Sequence, residues 1–391
     1  MDAARSPYSP GAGAPPLVIS GRDAELAAWR TALQRMAAGR PGRGLVLHGL
    51  RGVGKTVLLG AMRDEAARQQ WLVASMEVGA FSGGFLAHLS EALYPSLRRL
   101  ARPGIGKRLK RALATFAALN VKVDATGAWT FGLDLEPAAP ATGTLELDLI
   151  TLISDLAEAM QEQGAGVAVL VDEMQDLDSE ALAALCAVAH HCAQRGLPFL
   201  LCGAGLPSLP RVLSEAKTYA ERLFEYRSIG PLSPEDATRA LVEPATIEGV
   251  RWEPAALDWV LKAAGGYPFF LQEMGQMIWQ VAQGPDMITL ADAREGVAEG
   301  RRQLDVGFFL SRWERATTSE RGYLEAMARD GDGPSHSKDV AERLGRSLSS
   351  VGPTRAGLIG KGLIFAPEHG RVAFTVPGMA DFITRRQEVW E

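Results

Sequence analysis

Lys55 and Thr56 close the run Gly49-Leu50-Arg51-Gly52-Val53-Gly54-Lys55-Thr56, which fits the pattern G-x-x-x-x-G-K-[ST]. The run stands between the apolar segment Leu45-Val46-Leu47-His48 and a helical stretch reaching about Gln69. Glycines let backbone N–H groups curl around a phosphate with no Cβ in the way, and the helix starting near Gly54 adds its N-terminal dipole. Lys55 would bridge the β- and γ-phosphates of ATP as a point charge, and Thr56 would offer its hydroxyl to Mg²⁺. Val57 completes the cradle. A second constellation, Val167-Ala168-Val169-Leu170-Val171-Asp172-Glu173, is an apolar run ending in two carboxylates. A parallel strand delivers such an end to the edge where ligands bind in open α/β sheets. Asp172 would then hold the water shell of Mg²⁺, and Glu173 would polarise the attacking water as general base. Two acids capping a helix start are the alternative, and Asp176 and Asp178 are such caps nearby. The pairing with a phosphate loop favours the chemical reading: ATP or ADP binding with Mg²⁺, and ATP hydrolysis.

These residues need a scaffold, and the chain supplies the pattern of one. Helical stretches alternate with short, continuously apolar strands, which predicts an α/β fold of the P-loop NTPase class, a parallel sheet covered by helices on both faces. The rhythm breaks between Leu97 and Gly143. Arg98, Arg99, Arg102, Lys107, Arg108, Lys110 and Arg111 come with no acidic residue between Glu91 and Asp124, and the alternation from Val121 to Leu135 reads as a β-hairpin. From Pro231 the strands stop, and helix starts at Ser233-Pro234, Glu253-Pro254 and Pro268 predict an α-helical lid over residues 231–317. Three short helices and two strands then predict a winged helix-turn-helix over 318–391. Residues 1–16, rich in Pro, Gly and Ala, read as a disordered lead-in, leaving 17–230 for the ATPase domain.

The chain has 391 residues, enough for two or three domains, and its 47% apolar and 22% charged composition is that of a globular protein. A net charge of −5 argues against wholesale coating of nucleic acid, though not against a local basic patch. No apolar run is long enough to span a membrane, and a cytoplasmic location is expected. Cys186, Cys192 and Cys202 lie in apolar surroundings and read as buried thiols.

Taken in order, the motifs resemble those of AAA+ ATPases of the origin-recognition and archaeal-initiator type, and of the related STAND ATPases. Ile19 with Gly21-Arg22-Asp23-Ala24-Glu25-Leu26 is similar to the box that sits beside adenine in those families. Gly265-Gly266-Tyr267-Pro268 is similar to their lid motif, whose proline packs against the base. The resemblance implies that Ile19, Gly21, Arg22 and Pro268 join the loop in binding nucleotide. It also implies that Arg222 is an arginine finger, acting in cis or from a neighbouring subunit; a surface ion-pair arginine is the alternative. Two departures matter. The strand Phe199 to Gly205 ends without the Asn, Ser or Thr that senses γ-phosphate, and Phe269 to Gln283 contains no arginine. Both favour a slowly hydrolysing nucleotide switch over a fast motor.

On the winged module, Ser349, Ser350, Thr354, Arg355 and Lys361 are the candidate contacts to double-stranded DNA, with Arg371 from the wing. Protein docking is the competing role, because acids there nearly match bases. Self-association on ATP binding is expected under either.

Overall fold

The computed structural model describes residues 1–79, 84–102, 105–119 and 141–390. The expected hairpin from Val121 to Leu135 lies outside the described residues.

Short strands of β-branched and aliphatic residues form one parallel sheet: β1 (Gly44–His48), β2 (Leu72–Glu77), β3 (Val167–Asp172), β4 (Phe199–Gly205) and β5 (Phe224–Ser228). Their order is β2-β3-β4-β1-β5. Both β3 and β4 are buried along their whole length, as their unbroken apolar runs require when helices cover both faces. Insertion of β4 between β1 and β3 is the decisive feature. It puts the ends of the phosphate-loop strand and the acidic strand about 10 Å apart, and the helix Lys55–Arg68 packs across β2, β3 and β4 to bring Thr56 to Asp172.

The basic stretch falls on the helices Phe85–Leu100 and Lys107–Leu119. Arg111 pairs with Asp155 (2.9 Å) and Glu158 (2.6 Å), and Arg108 with Glu162 (3.4 Å), all three acids from the helix Leu145–Gln161 or its C-terminal end. Part of the basic run is therefore stitched to an acidic neighbour rather than offered to a ligand.

Four longer helices, Pro234–Ile247, Pro254–Ala264, Pro268–Val281 and Leu290–Gln303, make the lid. It is not wholly helical: Arg251–Trp252 and Met287–Ile288 pair as a short parallel ladder. The C-terminal module has helices Thr318–Ala328, Ser337–Arg343 and Leu348–Gly360, a hairpin of Ile364–Phe365 with Arg371–Phe374, and a closing helix Met379–Trp390. A third strand, Ser335–His336, unforeseen in the sequence, pairs on the other side of Arg371–Phe374. Lid and module share one continuous hydrophobic core, running from Leu232 through Phe309 and Trp313 to Ile383, while the sheet has a core of its own. The expected boundary at residue 317 thus divides chain segments but not packing.

Residues 1–16 are not a loose lead-in. Tyr8 is buried against Trp279 (ring centroids 6.3 Å apart), and its hydroxyl donates to the Leu241 carbonyl at 2.6 Å. The Trp279 indole donates to Asp2 O (2.8 Å), and the terminal ammonium donates to Ala282 O (2.7 Å). Composition alone hides this, because one aromatic ring with a satisfied hydroxyl anchors a segment that has no core of its own. Replacing Tyr8 by Phe keeps the ring and removes its bond to Leu241 O. We expect a loss of about 1 kcal/mol, read as a lower urea midpoint by tryptophan fluorescence. An unchanged midpoint would mean that the hydroxyl contributes nothing to the anchor.

Candidate nucleotide site

At the C-terminal edge of the sheet, β1 runs into the phosphate loop and the chain turns at Gly52 (φ +82°) and Gly54 (φ +88°) before the helix begins. Those left-handed conformations are why glycine is needed at both positions. Lys55 is buried and its ammonium donates to the carbonyls of Gly49 (2.9 Å) and Leu50 (2.8 Å). The Thr56 hydroxyl donates to Asp172 Oδ2 at 2.6 Å. Two hard oxygen donors in contact beside a phosphate-binding loop suit Mg²⁺, which takes one or two protein ligands and fills the rest with water and phosphate.

Glu173 has a left-handed backbone (φ 49°, ψ 39°), uncommon for a residue with a Cβ and costing roughly 1–3 kcal/mol. Three hydrogen bonds hold it. Its N–H donates to Asp172 Oδ1 (2.9 Å), Arg51 Nη1 donates to one carboxylate oxygen (2.5 Å), and Gln175 Nε2 donates to the other (2.7 Å). Gln175 also accepts from the Leu206 N–H (3.0 Å), tying the acidic pair to the end of β4. A Cβ on Gly205 would lie 2.2 Å from Gln175 Oε1. A glutamine from the acidic strand's own turn thus packs against the end of β4 and links it to Glu173. Nothing in the sequence pattern singled Gln175 out.

A cleft of about 480 Å³ opens over these residues, within the range of small-ligand sites. Of the residues expected there, Ile19, Arg22, Arg51, Gly52, Val53, Gly54, Lys55, Thr56, Val57, Pro268, Asp172 and Glu173 line it. Gly21 and Gly49 do not line it; Gly21 turns the chain (φ +65°) against Asp236. Arg22 acts through the backbone, donating to Gly230 O (2.6 Å) and Val53 O (3.0 Å). The cleft also includes Ser9 to Ala14 of the N-terminal segment, with Gly13 against the Thr56 methyl, and Phe308 and Arg312 from the turns that follow the helix Leu290–Gln303.

Arg222 is not brought to this site. It is exposed and precedes β5, whose first residue, Phe224, pairs with Gly44 at the start of β1. That is the far end of the sheet, about 15 Å from the phosphate loop at 3.3 Å per strand residue. Arg222 is therefore not in the cleft of its own chain, and its exposure fits the alternative of a surface arginine as well as a finger toward a neighbouring copy.

The DNA candidates share the C-terminal module, and none of them lines the cleft. Ser349 and Ser350 are exposed at the start of the helix Leu348–Gly360. Thr354 and Arg355 are half-buried on the same helix. Lys361 is committed elsewhere, its ammonium donating to Glu320 (2.6 Å) and to Arg315 O (3.0 Å). Arg371 lies 3.8 Å from Glu368.

Residues 19–201 match the AAA ATPase domain. The chain has the P-loop NTPase fold. Residues 306–383 match a domain of unknown function, DUF8462, and no curated protein matches the chain. The Walker-type ATPase PABY2304 of Pyrococcus abyssi is similar in fold, with a TM-score of 0.58 at 16% identity over 94% of this chain and 96% of its own. More distant are the Orc1 protein of Aeropyrum pernix in complex with DNA (TM-score 0.44, 16% identity, 96% and 95% covered) and the RuvB Holliday junction branch migration motor of Thermotoga maritima (0.45, 15%, 90% and 92%). Among the described residues no helix is long and apolar enough to cross a membrane.

Burial, against the pull of Glu173 and Asp172, lowers the Lys55 pKa from 10.5 to about 8. Between those values the unfolded chain holds a proton that the folded chain has lost, so this residue's contribution makes stability rise with pH across the window. Nucleotide binding runs the other way, because the phosphate requires the ammonium and must draw a proton back. The Kd for ATP should weaken above pH 8 by up to about tenfold per unit, measured by calorimetry in buffers of different ionisation enthalpy. A flat Kd from pH 7 to 9.5 would remove Lys55 from phosphate contact.

Proposed function

We propose that the protein is a cytoplasmic ATP-dependent switch that binds ATP with Mg²⁺ in the cleft and hydrolyses it slowly through Glu173. The nucleotide state then sets the position of the lid and C-terminal module. The observation that carries this reading is the attachment of the phosphate loop to both. Arg51 N–H donates to Thr375 O (2.9 Å), and Phe269 N–H donates to Gly52 O (3.2 Å). A phosphate entering the loop competes with groups that hold the rest of the chain in place.

In that scheme Lys55 exchanges two backbone carbonyls for phosphate oxygens. Thr56 and Asp172 would hold Mg²⁺, which neutralises phosphate charge when bound. Glu173 is oriented by Arg51 and Gln175, and each of its oxygens keeps a lone pair for the attacking water; the lack of an Asn, Ser or Thr at the end of the strand Phe199–Gly205 supports slow turnover. Arg222 serves, if at all, from a neighbouring copy, which makes ATP-dependent self-association part of the proposal.

For the partner we propose double-stranded DNA, contacted by the exposed start of the helix Leu348–Gly360 in what we take as a winged helix-turn-helix. Helix and strand order in the module supports this. A second reading, a STAND-like signalling or defence switch with a protein partner, is favoured by the commitment of Lys361 and by the 54% exposed Leu348 at the tip of the same helix. Phosphate affinity grows with uncompensated cations, and few remain there.

Lys55→Ala should lose nucleotide, and Glu173→Gln should keep ATP while turnover falls at least about 100-fold; wild-type turnover in the glutamine variant would end the base role. Retention of a labelled duplex at low salt, lost steeply as salt rises, supports DNA. ATP-dependent oligomers with no duplex retained support the protein partner.

A further inference from the structure

Each cation of the cleft except one is bonded to the phosphate loop or to the acidic pair. Lys55 and Arg22 donate to phosphate-loop carbonyls, and Arg51 pairs with Glu173. Arg312 is different. Its guanidinium lies 4.0 Å over the Phe308 ring and, among the described residues, donates to Phe308 O, one turn back in its own helix. Among the described residues no carboxylate pairs with it, although it lines the cleft beside Arg51 and Glu173. Burial, followed by the like charges of Arg51 and Arg315, depresses its pKa to about 10. A half-buried cation facing another cation across a cleft is stabilised by an anion entering between them.

Its position follows from an irregularity in the chain. The lid helix Leu290–Gln303 continues into a π-helical turn, Leu304–Phe309, and then the short helix Leu310–Glu314. The wider turn rotates the residues after it relative to an α-helical repeat. It places Phe308 against Phe269 (4.9 Å) and Phe309 flat on Phe382 (5.4 Å, 16° between planes). Phe269 follows the lid proline at the phosphate loop, and Phe382 belongs to the closing helix of the C-terminal module. Arg312 therefore stands where loop, lid and module meet.

We propose that Arg312 reads the γ-phosphate in cis, its guanidinium meeting the terminal phosphoryl oxygens of a bound nucleoside triphosphate. In doing so it draws the Phe308–Phe309 turn, with the lid and module packed on it, toward the phosphate loop. This rests on the nucleotide reading above and adds that triphosphate is told from diphosphate by a residue outside the ATPase domain. The planar fork suits phosphate oxygens in a way that a lysine point charge does not.

The test measures ATPγS and ADP affinities on the full chain and on Arg312→Ala and Arg312→Lys. We expect Arg312→Ala to weaken ATPγS about 10- to 100-fold and ADP by less than about 3-fold, with Arg312→Lys between the parent and Arg312→Ala. Tryptic cleavage within residues 306–383 should be slowed by ATPγS, but not ADP, in the parent and by neither in Arg312→Ala. The lysine variant keeps the cation over Phe308, so it remains informative if the alanine variant folds poorly. Equal loss for both nucleotides, or loss for neither, overturns the proposal. A parent chain that binds neither nucleotide would instead overturn the nucleotide reading, and that is seen before any variant is made.

Discussion

Three consecutive residues of the phosphate loop are each hydrogen-bonded to a different distant part of the chain. Arg51 N–H reaches Thr375 O in the C-terminal module, Gly52 O accepts from Phe269 at the head of a lid helix, and Val53 O accepts from Arg22 in the N-terminal box. A phosphate loop must expose its N–H groups, so backbone spent on such contacts is constrained on both sides. Any ligand that reshapes the loop by an ångström changes all three contacts together, two of them to other domains. The arrangement of the remaining domains follows from this shared anchor.

What moves with the loop is decided by the apolar packing. Lid and C-terminal module share one core, and Phe308 and Phe309 connect Phe269 on one side to Phe382 on the other. Close-packed aromatic contacts transmit displacement rather than absorb it. Lid and module should therefore rotate as one body against the sheet, with the backbone between β5 and Pro234 as the joint. Arg22 already grips that joint through Gly230 O. The N-terminal segment reinforces the body, because Tyr8 is buried in the lid while Gly13 touches Thr56.

Legibility of the sequence followed the range of the interaction. Lys55, Thr56, Asp172 and Glu173 could be read directly, since their chemistry depends on short spacing and on flanking strands with clear apolar runs. The sheet and the helices after it were legible for the same reason: helices start at Pro234, Pro254 and Pro268 as the prolines indicate, the first of them capped by Ser233. Gln175 and Arg312 were not, because each matters only through a partner brought near by the tertiary fold. Arg222 is a different case: the family resemblance implied a finger, and strand direction puts it at the far end of the sheet from its own chain's cleft. The anchored N-terminus was obscured by composition, in which a single tyrosine counts for little.

The acidic pair carries the remaining argument about coupling. Glu173 sits in a strained backbone conformation that its neighbours over-determine, and strain of this kind persists where structure is spent on geometry rather than stability. Both carboxylate oxygens accept a hydrogen bond, one from a cation of the phosphate loop and one from an amide tied to β4. Arg51, whose side chain pairs with Glu173, is the same residue whose N–H donates to Thr375 O in the C-terminal module. The side chain and the backbone of one residue thus hold both the proposed base and the C-terminal module.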